Sequence, residues 1–429
     1  MKQLKNGSSG PVVQYAQLAL TRAGMEPGRI DGFFGPNTEA ATKRFQASVG
    51  LTPDGIIGPK TWAMLFPYLS GYTLHRIMAG DTFSGLARRY ATTVDAIRIA
   101  NPMLHPDNLL IGTLVTIPFS FQVTAWNVPY SSLWTGIVLD GLAARYPMLS
   151  LDVFGRSSAG RDLYAAHVGT GDIPVGINAS HHANEWITTP LVLRMLENLL
   201  YAAAYGEKLE GFSATALLAR ARLTLVPLVN PDGVDLVTAY LEANDPLFQK
   251  AMGISGAFPS IPFPSGWKAN LNGVDLNLGY PAGWEQAREI KFAQGFTRPA
   301  PRDYVGSRPL AEAENRAMAQ LTRRESFALT VSYHTQGAEI YWRYGDNEPK
   351  NARQIAEAFA VASGYAVQDP ARDSSFAGYK DWFIDAFDRP GYTIEAGRGQ
   401  NPLPLDALPK LYEENIGIFL GALALAQNA

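Results

Sequence analysis

A histidine and a glutamate three residues apart, His182 and Glu185, share this chain with a second histidine at 334 and an acid at 395. One short turn can bring His182 and Glu185 to a single cation. The remaining nitrogen must come from a segment much further along, so the fold has to return His334 to the same point. Two imidazoles and one carboxylate leave a fourth coordination position for water, which is what separates a catalytic zinc from a structural one. Glu395 supplies an acid that could act as the base beside that water. The pattern therefore predicts an α/β architecture that gathers distant segments into one crevice, and it points to hydrolytic chemistry.

Composition fits that demand. At about 150 residues per domain, 429 residues make roughly three domains, and 47% hydrophobic with 17% charged residues is the balance of a globular protein. A net charge of -3 selects no polyanion, so no nucleic-acid partner is expected. Cysteine is absent, which leaves His, Asp and Glu to hold any transition metal. No apolar run is long enough to span a bilayer, and Met1 to Gly10 followed by Pro11 lacks the apolar core of a signal peptide.

The first segment repeats itself. Asp31-Gly32-Phe33-Phe34-Gly35-Pro36-Asn37-Thr38 is matched by Asp54-Gly55-Ile56-Ile57-Gly58-Pro59-Lys60-Thr61. In each copy Asp-Gly supplies a tight bend and the proline presets the first helical turn. Helices are expected over 39–48 and 61–65, with Ala40, Phe45, Trp62 and Leu65 in the core. This segment, taken as residues 1–70, resembles the helical peptidoglycan-binding domain that accompanies many bacterial wall hydrolases. A second unit, residues 71–119, reads strand (74–77), helix (Leu86, Ala87, Tyr90), helix (93–99) and strand (114–117). Its Gly80-Asp81-Thr82, Ile99-Ala100-Asn101 and Leu110-Ile111-Gly112 resemble a βααβ LysM module, whose family binds glycans containing N-acetylglucosamine. Residues 119–129 read as a linker.

Beyond it, in a domain taken as 120–429, apolar runs at 175–179, 223–229, 328–333 and 392–395 read as buried strands. They alternate with helical patterns at 191–205, 312–323 and 351–363, which argues a sheet flanked by helices. His182, His334 and Glu395 then fall at or just after strand ends, where α/β enzymes collect their chemistry.

At this point a specific resemblance appears. His182-Ala183-Asn184-Glu185-Trp186, Asn230-Pro231-Asp232-Gly233, Gly273-Val274-Asp275-Leu276-Asn277, Ser332-Tyr333-His334 and Thr393-Ile394-Glu395 are similar to the zinc carboxypeptidase family and its mixed sheet. Trp267-Lys268-Ala269-Asn270, Tyr280-Pro281-Ala282-Gly283-Trp284 and Gly378-Tyr379-Lys380-Asp381-Trp382 resemble, within it, the bacterial γ-D-glutamyl-L-diamino acid endopeptidases. The resemblance implies zinc held by His182, Glu185 and His334, Glu395 as general base, and Lys268 where the family's carboxypeptidases place an oxyanion-stabilising arginine. It implies Asn277, Tyr379 and Asp381 on the substrate side. The arginine that grips a terminal carboxylate in those exopeptidases is replaced by Leu278, so Arg398 is taken as the partner for a substrate carboxylate.

The expected activity is zinc-dependent cleavage of the peptidoglycan stem peptide between γ-D-glutamate and meso-diaminopimelate, with glycan strands and stem peptides as partners. Its expected place is the cell wall or extracellular space, reached by a spore-associated or non-classical route. The alternatives are a zinc carboxypeptidase, an amide deacylase on small acyl-amino acids, and a non-catalytic wall-binding protein. His181, four residues before Glu185, competes with His182 as ligand, and the family pattern favours His182. His75, His105 and His167 are read as structural, Asp232 as a turn residue, and Trp186, Trp267, Trp284 and Trp382 as packing.

Overall fold

The computed structural model describes residues 1–370 and 375–429. It divides into two compact units, one of residues 1–129 with 136–150 and the other of 130–135 with 151–429.

The first unit opens with three helices, α1 (Pro11–Arg22), α2 (Pro36–Ser48) and α3 (Pro59–Ser70). Each starts with proline after glycine, where the missing N–H costs nothing. Gly10-Pro11 thus starts a helix by the same device as the two repeat copies, and α1 lies over a stretch in which no helix was expected. The repeat extends to the hydrogen bonds. Gln17 donates to Asp31 at 2.9 Å and Thr38 at 3.2 Å while its carbonyl accepts from Gly32 N at 2.9 Å. Gln46 does the same with Asp54 at 2.8 Å, Thr61 at 3.1 Å and Gly55 N at 2.9 Å. Each buried amide therefore ties an Asp-Gly bend to the helix that follows it.

The chain continues through β1 (Tyr72–Arg76), α4 (Phe83–Arg89), α5 (Val94–Ala100) and β2 (Leu114–Pro118), with β1 and β2 antiparallel from Tyr72 opposite Pro118 to Arg76 opposite Leu114. Thr82 and Thr93 cap the two short helices by accepting from Gly85 N and Ala96 N, both at 3.0 Å. Ile77, Phe83, Leu86, Ile97, Val115 and Ile117 form the core. His75 is buried between Tyr90 at 3.0 Å and Asp81 at 2.7 Å, a structural histidine. The stretch read as a linker is packed rather than loose: Arg22 donates to Gln122 O at 2.8 Å and Val123 O at 2.9 Å, and Arg145 to Phe121 O at 2.7 Å.

The second unit is built on an eight-stranded mixed sheet flanked by helices: β3 (Ser150–Arg156), β4 (Asp162–Val168), β5 (Ile173–Ala179), β6 (Ala221–Val226), β7 (Leu329–His334), β8 (Glu339–Tyr341), β9 (Ala366–Gln368) and β10 (Gly391–Glu395). Their spatial order is β9-β8-β10-β7-β5-β6-β4-β3. The central β5, β6, β7 and β10 run parallel, and β4 and β8 join them antiparallel. β6 stops at Val226 rather than running on to 229, because Pro227 has no N–H for the ladder. Trp186, Trp267, Trp284 and Trp382 are all buried. Asp232 is more than a turn residue. It is fully buried in the helix Pro231–Val237 and accepts from Ser157 Oγ at 2.7 Å, Ala159 N at 2.8 Å and Arg161 at 2.8 Å.

Replacing Gln46 by alanine removes its hydrogen bonds to the exposed Asp54 carboxylate and to the buried Gly55 N–H and Thr61 hydroxyl. Denaturant unfolding should show the N-terminal helical module destabilised by about 1–3 kcal/mol. An unchanged transition would mean the bend is held without the glutamine.

Candidate metal centre

Parallel pairing places the site. In β5 and β7 Ala179 lies opposite Tyr333, and in β7 and β10 His334 lies opposite Glu395. The carboxyl ends of three neighbouring strands therefore open on one crevice. His182 lies just past β5, immediately before a single 3₁₀ turn, Ala183–Glu185, which turns both side chains of the pair toward that crevice.

His182 Nδ1 is 2.9 Å from Glu185 Oε1, His334 Nδ1 is 2.9 Å from Glu185 Oε2, and the two Nδ1 atoms are 3.2 Å apart. His182, Glu185 and His334 have donor atoms within 4.8 Å of one another and form the one such cluster among the described residues. Three lone-pair donors from a buried carboxylate and two imidazoles facing one point suit a divalent cation of borderline character, and zinc accepts that set. The outer nitrogen of His182 lies 3.2 Å from Asp275, the carboxylate–histidine relay that fixes ring orientation in metal sites. Asp275 lies within a quoted motif, but nothing in its spacing assigned it that contact.

His181 points elsewhere. Its Nε2 lies 3.1 Å from the Tyr280 hydroxyl, its ring stacks on His334, and burial holds its pKa well below the ordinary value, so it stays neutral behind the cluster.

The surrounding charges sort the acids. Burial opposes ionisation of Glu185, but His182 and Lys268 outweigh it and hold the carboxyl well below its usual range. Lys268 Nζ sits 3.2 Å from Glu185. Burial would lower the His182 pKa, yet the Glu185 charge lifts it to about 9. Glu395 differs: burial, then the negative charge of Glu185, push it up to about 8. The segments are stapled by Asn230, whose amide donates to His181 O and Ala269 O, each at 3.1 Å, while Ala183 N donates to Lys268 O at 3.0 Å.

A cavity of about 720 Å³ opens over the cluster. His182, Lys268, Asn277, Asp381 and Glu395 line it. Asn277 accepts from Tyr379 N at 3.0 Å, and Asp381 pairs with Lys380 at 2.5 Å. Two expected substrate contacts are not brought there. Tyr379 is buried in the core with its hydroxyl 2.8 Å from Thr322, because it occupies the inward face of the helix Tyr379–Phe387. Arg398 is exposed and is not among the residues of the cavity wall, although Gly399, Gln400 and Asn401 just after it are. Lys291, Arg302 and Lys380, none of them singled out from sequence, are the additional cations of the wall.

The zinc carboxypeptidase model matches residues 137–417, a peptidoglycan binding domain model residues 9–65, and a LysM domain model residues 75–118. A γ-D-glutamyl-L-diamino acid endopeptidase 1 from Lysinibacillus sphaericus is 41% identical over 299 residues, covering 70% of this chain and 73% of that protein. The chain belongs to the zinc carboxypeptidase family. The uncharacterized protein YqgT of Bacillus subtilis is 37% identical over 280 residues, covering 65% of this chain and 73% of that protein. The carboxypeptidase A of Helicoverpa armigera shares the fold, with a TM-score of 0.55 at 21% identity over 71% of this chain and 75% of that one. This family member is a zinc metallopeptidase joined to peptidoglycan-binding and LysM domains, which associate it with the cell wall. Among the described residues, no helix is long and apolar enough to cross a membrane.

Asp275→Asn should weaken zinc binding about 10- to 100-fold in competition with a chelator, with the fold unchanged by circular dichroism. Unaltered affinity would remove Asp275 from the metal's support.

Proposed function

We propose that this metallopeptidase hydrolyses the amide between γ-D-glutamate and the diamino acid, meso-diaminopimelate, in peptidoglycan stem peptides. The observation that carries the reading is the His182–Glu185–His334 cluster beneath a cavity whose wall carries Leu278, at the sequence position where the resemblance to the family's exopeptidases would place an arginine. The likeness to the Lysinibacillus endopeptidase and the two wall-directed modules support it. Even weak modules raise the effective concentration of stem peptides at a tethered active site. The enzyme would then work on the outer side of the cell, in the wall.

His182, Glu185 and His334 would hold the zinc, which when bound polarises an amide carbonyl and brings the pKa of a water toward about 7. Glu395, at the open end of β10, is placed to take a proton from the attacking water and return it to the departing amine of the diamino acid. Lys268, tied to Glu185, offers a fixed positive charge to the oxygen that becomes negative as the carbonyl is attacked. A lysine delivers that charge without the two-pronged geometry of arginine. Asn277 and Asp381, on the wall beside Leu278, would meet the diamino acid.

With zinc-loaded protein and a defined muropeptide, mass spectrometry should find a new free amine on the diamino acid. Glu395→Gln should lower the rate about 100-fold or more while zinc stoichiometry stays the same. Absence of that product from the wild-type enzyme rejects the reading. Because Glu395 must be ionised to accept a proton, kcat/KM should fall about tenfold per pH unit on the acid side. A dication beside the carboxyl opposes the burial that lifts it to about 8, so the midpoint should lie below 8. A flat profile would exclude Glu395 as the base.

A further inference from the structure

Four cationic side chains besides His182 line the metal cavity: Lys268, Lys291, Arg302 and Lys380. Three of them are engaged at their charged ends. Lys268 is paired with Glu185 at 3.2 Å, Lys291 with Asp303 at 2.8 Å, and Lys380 with Asp381 at 2.5 Å as well as donating to Arg343 O at 2.5 Å. Arg302 is different. Asp303 takes its Nε at 2.6 Å, and among the described residues no hydrogen bond or ion pair engages its two terminal nitrogens.

Backbone pairing fixes where that guanidinium stands. Pro301 O accepts from Lys268 N at 2.8 Å and Ala269 N at 3.0 Å. Asp275 N donates to Tyr304 O at 2.9 Å, and Asp303 N donates to Asp275 Oδ2 at 3.2 Å. Residues 301–304 are thus laced on one side to the segment of Lys268 and on the other to the carboxylate that orients His182. The Arg302 side chain is about two-fifths exposed, which leaves its fork open to a ligand in the cavity. Asp303, braced in turn by Lys291, restricts the rotation of that fork.

We propose that Arg302 is the anchor for a free substrate carboxylate flanking the scissile amide. A guanidinium held at Nε presents its two outer nitrogens as a ready-made match for the two oxygens of a carboxylate. The inference rests on the stem-peptide reading and sharpens it. In a γ-linked D-glutamyl residue the α-carboxyl is not used in the bond and stays free four bonds from the scissile carbonyl carbon; an α-linked residue without an acidic side chain has no such group there, and an α-linked glutamate keeps the carboxyl but carries its amino group next to the scissile carbonyl. The diamino acid carries the second candidate, its own α-carboxylate. An anchor beside Lys268 makes the free glutamyl carboxylate a recognised feature, and it takes over the role expected of Arg398.

The test compares γ-D-glutamyl-meso-diaminopimelate in three forms: free at all three carboxyls, amidated at the glutamyl α-carboxyl, and amidated at the carboxyl of the diaminopimelate centre joined to the glutamate. The wild-type enzyme should prefer the free form over the glutamyl amide about tenfold or more in kcat/KM. Arg302→Gln should pull that ratio toward one, and Arg302→Lys, which keeps the charge and loses the fork, should give an intermediate ratio and covers the case in which the glutamine variant does not fold. If the ratio that collapses is that of the diamino acid amide, Arg302 remains the anchor and the bound carboxylate is the diamino acid's. Ratios that neither variant changes overturn the proposal. Should the wild type cleave none of the three, the cleavage reading falls on its own. Calorimetric titration of the zinc-loaded protein with the free dipeptide and its two amides then decides the anchor, with Arg302-dependent preference for a free carboxylate upholding it and equal binding overturning it.

Discussion

Register between parallel strands is the constraint on which this site depends. With His334 opposite Glu395, a histidine of the metal cluster and the acid stand side by side on one face of the sheet. A slip of one residue would turn either side chain to the other face. The two faces differ enough to forbid it. Tyr333, Val331, Ile394 and Tyr392 are all buried on the opposite side, while Thr330, Ser332, Gly391 and Thr393 precede His334 and Glu395 on theirs. Large apolar groups that must leave water lock the strands on one face, and small buried residues on the other leave room for the helix Tyr379–Phe387 to pack at Gly391.

Charge then divides the acids that the strands bring together. A buried carboxylate is costly unless it is paired, and Glu185 is paired with two imidazoles, Lys268 and the Thr335 amide at 3.3 Å. Glu395 lies within reach of the same charges but feels burial and Glu185 more strongly than it feels the cations. One carboxyl is therefore held as an anion, and the other is pushed up toward its neutral form. Environments that drive two acids apart in pKa assign their roles.

Much of this was legible in the sequence because the chemistry itself limits the choices. Without cysteine, a catalytic zinc has few donor sets, and His182, Glu185 and His334 stand in motifs that end apolar runs. The central strands were legible because both of their faces are buried, which writes them as continuous hydrophobic stretches. What escaped was set by tertiary contacts. Arg398 lies three residues from Glu395, but closeness in sequence carries no direction, and it is not among the residues of the cavity wall. Arg302 lies in a proline-rich stretch with no periodicity to read, and only its pairing with the Lys268 and Asp275 segments puts it at the cavity. Tyr379 was legible as part of a motif, and the face of the helix it occupies was not. The asparagine of Asn-Pro-Asp-Gly read as turn chemistry, while its work of binding the His181 and Ala269 carbonyls belongs to the assembled fold.

The pairing of charges in the cavity wall has a consequence for selectivity. Unpaired charges in a partly enclosed site attract any counter-ion, because the low dielectric that strengthens a wanted contact strengthens unwanted ones equally. Here Lys380 is met by Asp381 and Lys291 by Asp303, so most of the wall is electrically balanced. The Arg302 terminal nitrogens are the cationic ends of this wall that no pairing among the described residues takes up. Leu278 adds an apolar stretch to the same wall, so the charged groups that a ligand meets are confined to the paired residues and to Arg302.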